Sequence, residues 1–172
     1  MGKQITKIFN VRSFKISDLI KNTLGIRLGD DPNYDWDSLD DSLRKDGYAP
    51  EKYSYIEICD VSYDQGFKYD YALIDGNHRL SSLIRLYGED LYIRVKVEEI
   101  NTIDGKKFLK PDGDDKLCPS CFESLKGCGC KLHKADDGFQ VHEKCLKKYN
   151  DKRKETILLL KQKQEELMNK NK

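Results

Sequence analysis

The stretch that most constrains this chain lies between residues 69 and 87. An apolar run (69–74) leads into Asp75-Gly76-Asn77-His78-Arg79, and an amphipathic run (80–87) follows. Leu80, Leu83, Ile84 and Tyr87 recur at helical spacing, and Gly88 supplies a stop. The pattern therefore predicts a strand that turns through a glycine into a helix. The free N–H groups of a helix start point one way, and the helix dipole favours negative charge there. Arg79 adds a planar, permanently charged guanidinium suited to phosphate. The expectation is a turn that handles phosphate or a nucleotide. Asp-Gly-Asn is also a good turn in its own right, so a purely structural role is the plainer alternative.

At 172 residues the chain can bury one core and carry a small second module. Further strands are expected at 5–10, 53–59 and 92–97. In the last of these Ile93, Val95 and Val97 alternate with Arg94 and Lys96. A short helix through residue 24 has Ser17 or Asp18 as its cap. A second helix covers 37–45, with Leu39 and Leu43 four apart and Gly47 beyond its end. Residues 25–32 read as a loop and 62–68 as a hairpin-like connection. The result is an α+β domain over 1–109. The polar, turn-rich Lys110-Pro111-Asp112-Gly113-Asp114-Asp115 separates it from a module over 116–172.

Charge divides the same way. Residues 1–115 hold 17 Lys and Arg against 22 Asp and Glu, whereas 116–172 hold 14 against 8. A basic second module is suited to an anionic partner, DNA or RNA, with a host protein as the alternative and a solvated helix surface as the plain reading. No run approaches the roughly 20 apolar residues of a membrane span, and no signal-peptide pattern follows the first residues. The expected location is the cytoplasm, with no membrane partner.

Five of the six cysteines fall in the second module: Cys118, Cys121, Cys128, Cys130 and Cys145, with His133 and His142 among them. Clustering of this kind outside an oxidising compartment indicates zinc rather than disulfides. Cys118-Pro119-Ser120-Cys121 is a knuckle that brings two thiolates to one ion. His142 and Cys145 stand three apart at the start of a long helix. These four are the first choice of ligands for a structural Zn²⁺; Cys128, Cys130 and His133 offer three donors for a second site, with a single zinc beside spare thiols, or one ion drawing on this middle group, as the open alternatives. Knuckle, hairpin and helix together resemble a treble-clef finger. The spacing also resembles the front of a RING finger, but no cysteine pair follows Cys145. The long helix is expected from about residue 142, packing partly on its own module along Leu146, Tyr149, Ile157, Leu160 and Leu167, with Arg153 and Gln164 interrupting a coiled-coil stripe. Cys59, alone in an apolar run, reads as a small buried hydrophobe.

The order of features over roughly residues 5–100 resembles the ParB/sulfiredoxin superfamily, including phage-encoded ParB-like nuclease domains. The motifs that carry the likeness are Asp41-Ser42-Leu43-Arg44-Lys45-Asp46-Gly47 and Tyr71-Ala72-Leu73-Ile74-Asp75-Gly76-Asn77-His78-Arg79-Leu80. The resemblance implies a fold that binds a nucleoside triphosphate, ATP or CTP with Mg²⁺, against Gly76, Asn77, His78 and Arg79, with Arg27 as a further ligand-facing residue. It implies His78 as the group that polarises a phosphoryl oxygen or moves a proton, and Asp75 as its orienting partner or a magnesium ligand. Nucleotide hydrolysis, phosphate transfer and nuclease action are the implied activities, and a non-catalytic binding module is the alternative. The helix-turn-helix domain of chromosome-partition proteins has no place in this chain. Asp37, Asp40, Asp41, Glu57 and Asp60 are open candidates for a second carboxylate.

Overall fold

The computed structural model describes residues 4–29, 31–127 and 129–170; it is a mixed α+β structure that divides into two units. The first contains residues up to 62 and 67–109, and the second contains 63–66 and the chain from 110 onward.

In the first unit the elements are β1 (Ile5–Lys15), α1 (Ile16–Asn22), β2 (Thr23–Leu24), α2 (Trp36–Asp46), α3 (Pro50–Tyr53), β3 (Glu57–Asp60), β4 (Tyr71–Asp75), α4 (Asn77–Tyr87), β5 (Tyr92–Ile103) and β6 (Lys106–Lys107). The sheet runs β1-β5-β3-β4-β2, with β6 paired to β5. β5 is antiparallel to β1 and parallel to β3, and β4 is antiparallel to β3 and parallel to β2. Ile93, Val95 and Val97 of β5 turn inward onto Ile16 and Leu19 of α1, Leu43 of α2, and Leu80 and Leu83 of α4. Each such side chain contributes about 1.5–3 kcal/mol by leaving water.

Several boundaries differ from the expectations: β1 runs on to Lys15, α1 ends at Asn22, and the long helix begins at Leu146, after a 3₁₀ turn. α1 begins at Ile16 without a side-chain cap, because Ile16 N and Ser17 N donate to Leu91 O and Glu89 O; Ser17 and Asp18 are not needed as caps. The strand expected from residue 53 starts at Glu57, because Pro50 opens the one-turn helix α3 first. β5 continues to Ile103, where β1 pairs with it along its length. α2 matches its expected span and takes its cap from Asp35, whose carboxylate accepts from Ser38 N at 3.1 Å.

In the second unit β7 (Leu132–Lys134) and β8 (Gln140–His142) form an antiparallel hairpin, followed by a 3₁₀ turn at Glu143–Cys145 and α5 (Leu146–Lys170). Residues 63–66 belong to this unit through Gln65. Its Nε2 donates to Leu117 O at 3.0 Å and Gln140 O at 2.8 Å, and its Oε1 accepts from Gln140 N at 2.9 Å. The core is small: Cys118, Leu125, Ala135, Val141 and Cys145. Leu146, Tyr149 and Arg153 of α5 are half-buried, and every described side chain beyond Arg153 is exposed. The apolar stripe expected to pack on the module does so only over the first two turns; Ile157, Leu160 and Leu167 are exposed.

Candidate functional site

In the second unit Cys118, Cys121, His142 and Cys145 bring their ligand atoms within 4.8 Å of one another, and these four can hold a metal ion. The knuckle is shaped by its backbone. Phe122 N donates to Cys118 O and Cys118 N to Glu123 O, both at 2.9 Å, with Phe122 in the left-handed region at φ +61°. The hairpin and the 3₁₀ turn deliver His142 and Cys145 to the same point. His142 is fully buried, and its Nε2 lies 3.0 Å from Ser124 O. A carbonyl accepts only from N–H, so Nε2 carries the proton and Nδ1 presents its lone pair. Nδ1 faces the sulfurs, 3.2 Å from Cys121 Sγ.

The donor set fits a tetrahedral cation. Sulfurs about 2.3 Å from a shared ion stand about 3.8 Å apart, within the spread of the cluster. Burial pushes the Cys121 thiol up to about 12, and the Cys118 and Cys145 sulfurs add to that push. At Cys118 burial also pushes upward, but N–H groups of Cys121, His142 and Ser120 outweigh it and hold the thiol below its ordinary value. A divalent cation resolves this opposition, since metal ligation requires deprotonated thiols.

Two of the other expected ligands lie outside this cluster. Cys130 is half-buried and outside the cluster; His133, on β7, has Nε2 3.4 Å from Glu143 Oε1. Cys128 lies outside the described residues. Cys59 is half-buried on β3, its thiol pushed up by burial, with Sγ 3.6 Å from Ala72 O.

In the first unit a cleft of about 300 Å³ opens at the head of α4. Gly76 makes the turn at φ +116°, and an added Cβ would stand 2.8 Å from Ile56 Cγ1, so any side chain there is strained and forces its neighbour to shift. No side chain caps α4, and its first residues, Asn77, His78 and Arg79, line the cleft. Asp75, Asn77, His78 and Arg79 all line it, with Tyr34, Tyr48 and Tyr53 as the aromatic part of the wall.

Each polar side chain of the turn is tied to a different loop. Asn77 Oδ1 accepts from Arg27 N at 2.9 Å and its Nδ2 donates to Gly25 O at 3.3 Å. His78 stacks flat on Tyr34 at 3.9 Å with Trp36 edge-on at 5.4 Å, and its Nε2 lies 3.3 Å from Asp31 Oδ2. Arg79 donates from Nη1 to Ser54 O and Oγ and from Nη2 to Tyr55 O at 3.1 Å, with Asp75 Oδ2 at 3.7 Å. Ser54 is at φ +82°, and the guanidinium braces that unfavourable turn. Asp75 itself is 71 % exposed at the rim. Arg27 is exposed and does not line the cleft.

Of the open carboxylates, Asp40 is paired with Arg85, Asp41 with Arg44 and Glu57 with Lys96, while Asp60 accepts from Ser62. None of these, nor Asp37, lines the cleft. Sequence reasoning passed over Asp31, Tyr34, Trp36, Tyr48, Tyr53 and Ser54. The density of tyrosine and tryptophan around residues 34–36 and 48–55 was the available signal. No protein-family model matches the chain, and no curated protein matches it.

Proposed function

We propose that the first unit is a ParB/sulfiredoxin-like domain that binds a nucleoside triphosphate, ATP or CTP with Mg²⁺, in the cleft at the head of α4. The observation that carries this reading is an uncapped helix start opening into a cleft walled by tyrosines. The N–H groups meet the phosphates, the aromatic wall meets the base, and Asp75 at the rim holds the magnesium. With Arg79 engaged on carbonyls, anion charge is met by backbone and metal rather than by that guanidinium. His78, held by Asp31 and Tyr34, is the group positioned to move a proton. Among the described residues Asp75 is the one carboxylate of the lining, which favours nucleotide binding over a nuclease that needs several carboxylates for two metals. The second unit is read as a zinc module whose ion stands in for the core it lacks.

Trp36 sits beside His78, so its fluorescence reports the cleft. Titration with ATP, CTP and GTP, with and without Mg²⁺, is expected to give saturable binding that Ser42→Glu, which puts a carboxylate into the lining, abolishes. No saturable response at millimolar nucleotide, from folded protein, overturns the reading. Metal analysis is expected to find one zinc per chain, retained in Cys130→Ser and lost in Cys145→Ser; the reverse pattern refutes the ligand set.

A further inference from the structure

Lys144, Lys147, Lys148 and Lys152 line one shallow exposed surface on the 3₁₀ turn and the first turns of α5, together with Asp151 and Glu155. Lys148 and Lys152 form a column on α5, four residues and about 6 Å apart along the axis, and Lys144 continues it on the 3₁₀ turn, four residues before Lys148. Lys147 heads the neighbouring column, with Asp151 and Glu155 below it. None of the four ammonium groups has an ion pair or hydrogen bond among the described residues, whereas Arg153 on the same helix is 3.6 Å from Asp137 Oδ2. Lys144 is adjacent to Cys145, so the column is anchored where the metal cluster holds the backbone.

We infer that this face docks on the phosphate backbone of a nucleic-acid duplex, without reading its sequence. A column of unpaired cations at regular spacing complements a polyanion, and the two carboxylates confine contact to the lysine side. No aromatic residue lines the surface, so base stacking on single strands has no platform there. No apolar side chain lies among the lysines either, and a helix lying in a membrane surface needs one. The lining also has no Arg, Asn or Gln to make a forked contact with a guanine or adenine edge. The inference is independent of the nucleotide cleft.

Fluorescence anisotropy of the full, metal-loaded chain with two unrelated 20-base-pair duplexes tests it. Binding is expected to be equal for the two sequences, with log affinity falling against log salt at a slope of about −3 to −4 for up to four phosphate contacts. Lys148→Ala/Lys152→Ala is expected to lower affinity by roughly tenfold per lysine at 50 mM salt and to flatten the slope by about 2. This pair avoids Lys144 beside the metal ligand, and an unchanged zinc content shows that the fold is kept. Ser42→Glu is expected to bind duplex as the unmodified chain does, which separates this test from that of the cleft. Wild-type affinity in the double variant, a flat salt dependence, or lysine-dependent binding to phosphatidylserine vesicles with none to duplex overturns the inference.

Discussion

Gly76→Ala tests the turn that the cleft is built on. Two costs arise there, and they can be separated. The backbone sits at φ +116°, where a side chain costs about 1–2 kcal/mol. The new Cβ also lands 2.8 Å from Ile56 Cγ1, 3.0 Å from Cγ2 and 3.1 Å from Cα. Ile56 is fully buried and one of those atoms is backbone, so the neighbour cannot simply swing away. Overpacking of this kind costs about 1–3 kcal/mol, giving a total of about 2–5 kcal/mol. At Gly88 nothing lies within 4 Å of an added Cβ, so Gly88→Ala carries a backbone cost alone, about 1–3 kcal/mol at φ +84° and ψ −177°, a region almost confined to glycine. Urea unfolding followed by Trp36, the single tryptophan and a resident of the first unit, reads both. In an Ile56→Ala background the cost of Gly76→Ala should shrink by about 1 kcal/mol or more, because the crowding Cγ atoms are gone. A cost of Gly76→Ala that stays the same in the Ile56→Ala background, within about 0.5 kcal/mol, would refute the close approach.

The same fluorescence assay reads two further outcomes. Thr23 is buried with no hydrogen-bond partner for Oγ1 among the described residues, so Thr23→Val should raise stability by about 1 kcal/mol. Asp40 is held below the usual carboxylate range chiefly by the Arg85 hydrogen bond, with Ser82 helping against the opposing effect of burial. Its folded value lies below its unfolded one, near 3.9, so its contribution is present above that pH and disappears as pH falls through the folded value. Asp40→Asn should therefore flatten the acid loss of stability below about pH 4; an unchanged acid limb would show that the pair with Arg85 contributes nothing.

What the sequence made legible follows from how local each feature is. α2, α4 and the inward face of β5 are set by side-chain periodicity within a few residues, and all three stand where that periodicity puts them. The metal cluster was legible for a similar reason, since each ligand pair lies on a single turn with donors three apart. The features that escaped depend on partners far along the chain. The backbone carbonyls that replace a cap on α1 come from Glu89 and Leu91. Gln65 closes a unit whose other parts lie 52 and 75 residues away. Asp31 reaches His78 across 47 residues, from a stretch that reads only as a loop. No spacing rule encodes such meetings, because they exist only once the sheet is formed.

That distinction changes what Asp75-Gly76-Asn77-His78-Arg79 means. From residue types alone the segment is a set of groups aimed at an anion. In the folded chain Asn77 fastens the Gly25–Arg27 loop, His78 fastens Asp31 and Tyr34, and Arg79 fastens Ser54 and Tyr55. Three loops are thus drawn to one helix start, and Ser54 and Tyr34 stand in the cleft wall because of it. The side chains build the cleft, and the start of α4 that lines it carries no side-chain cap. Arg79 shows the consequence most clearly. Its guanidinium spans two carbonyls and a hydroxyl, a geometry that a lysine cannot reproduce. Changing it releases the Ser54 turn before it removes any charge from a ligand. Substitution of the motif arginine therefore reads out the shape of the cleft, and a carboxylate brought into the lining elsewhere, as by Ser42→Glu, tests the proposed binding.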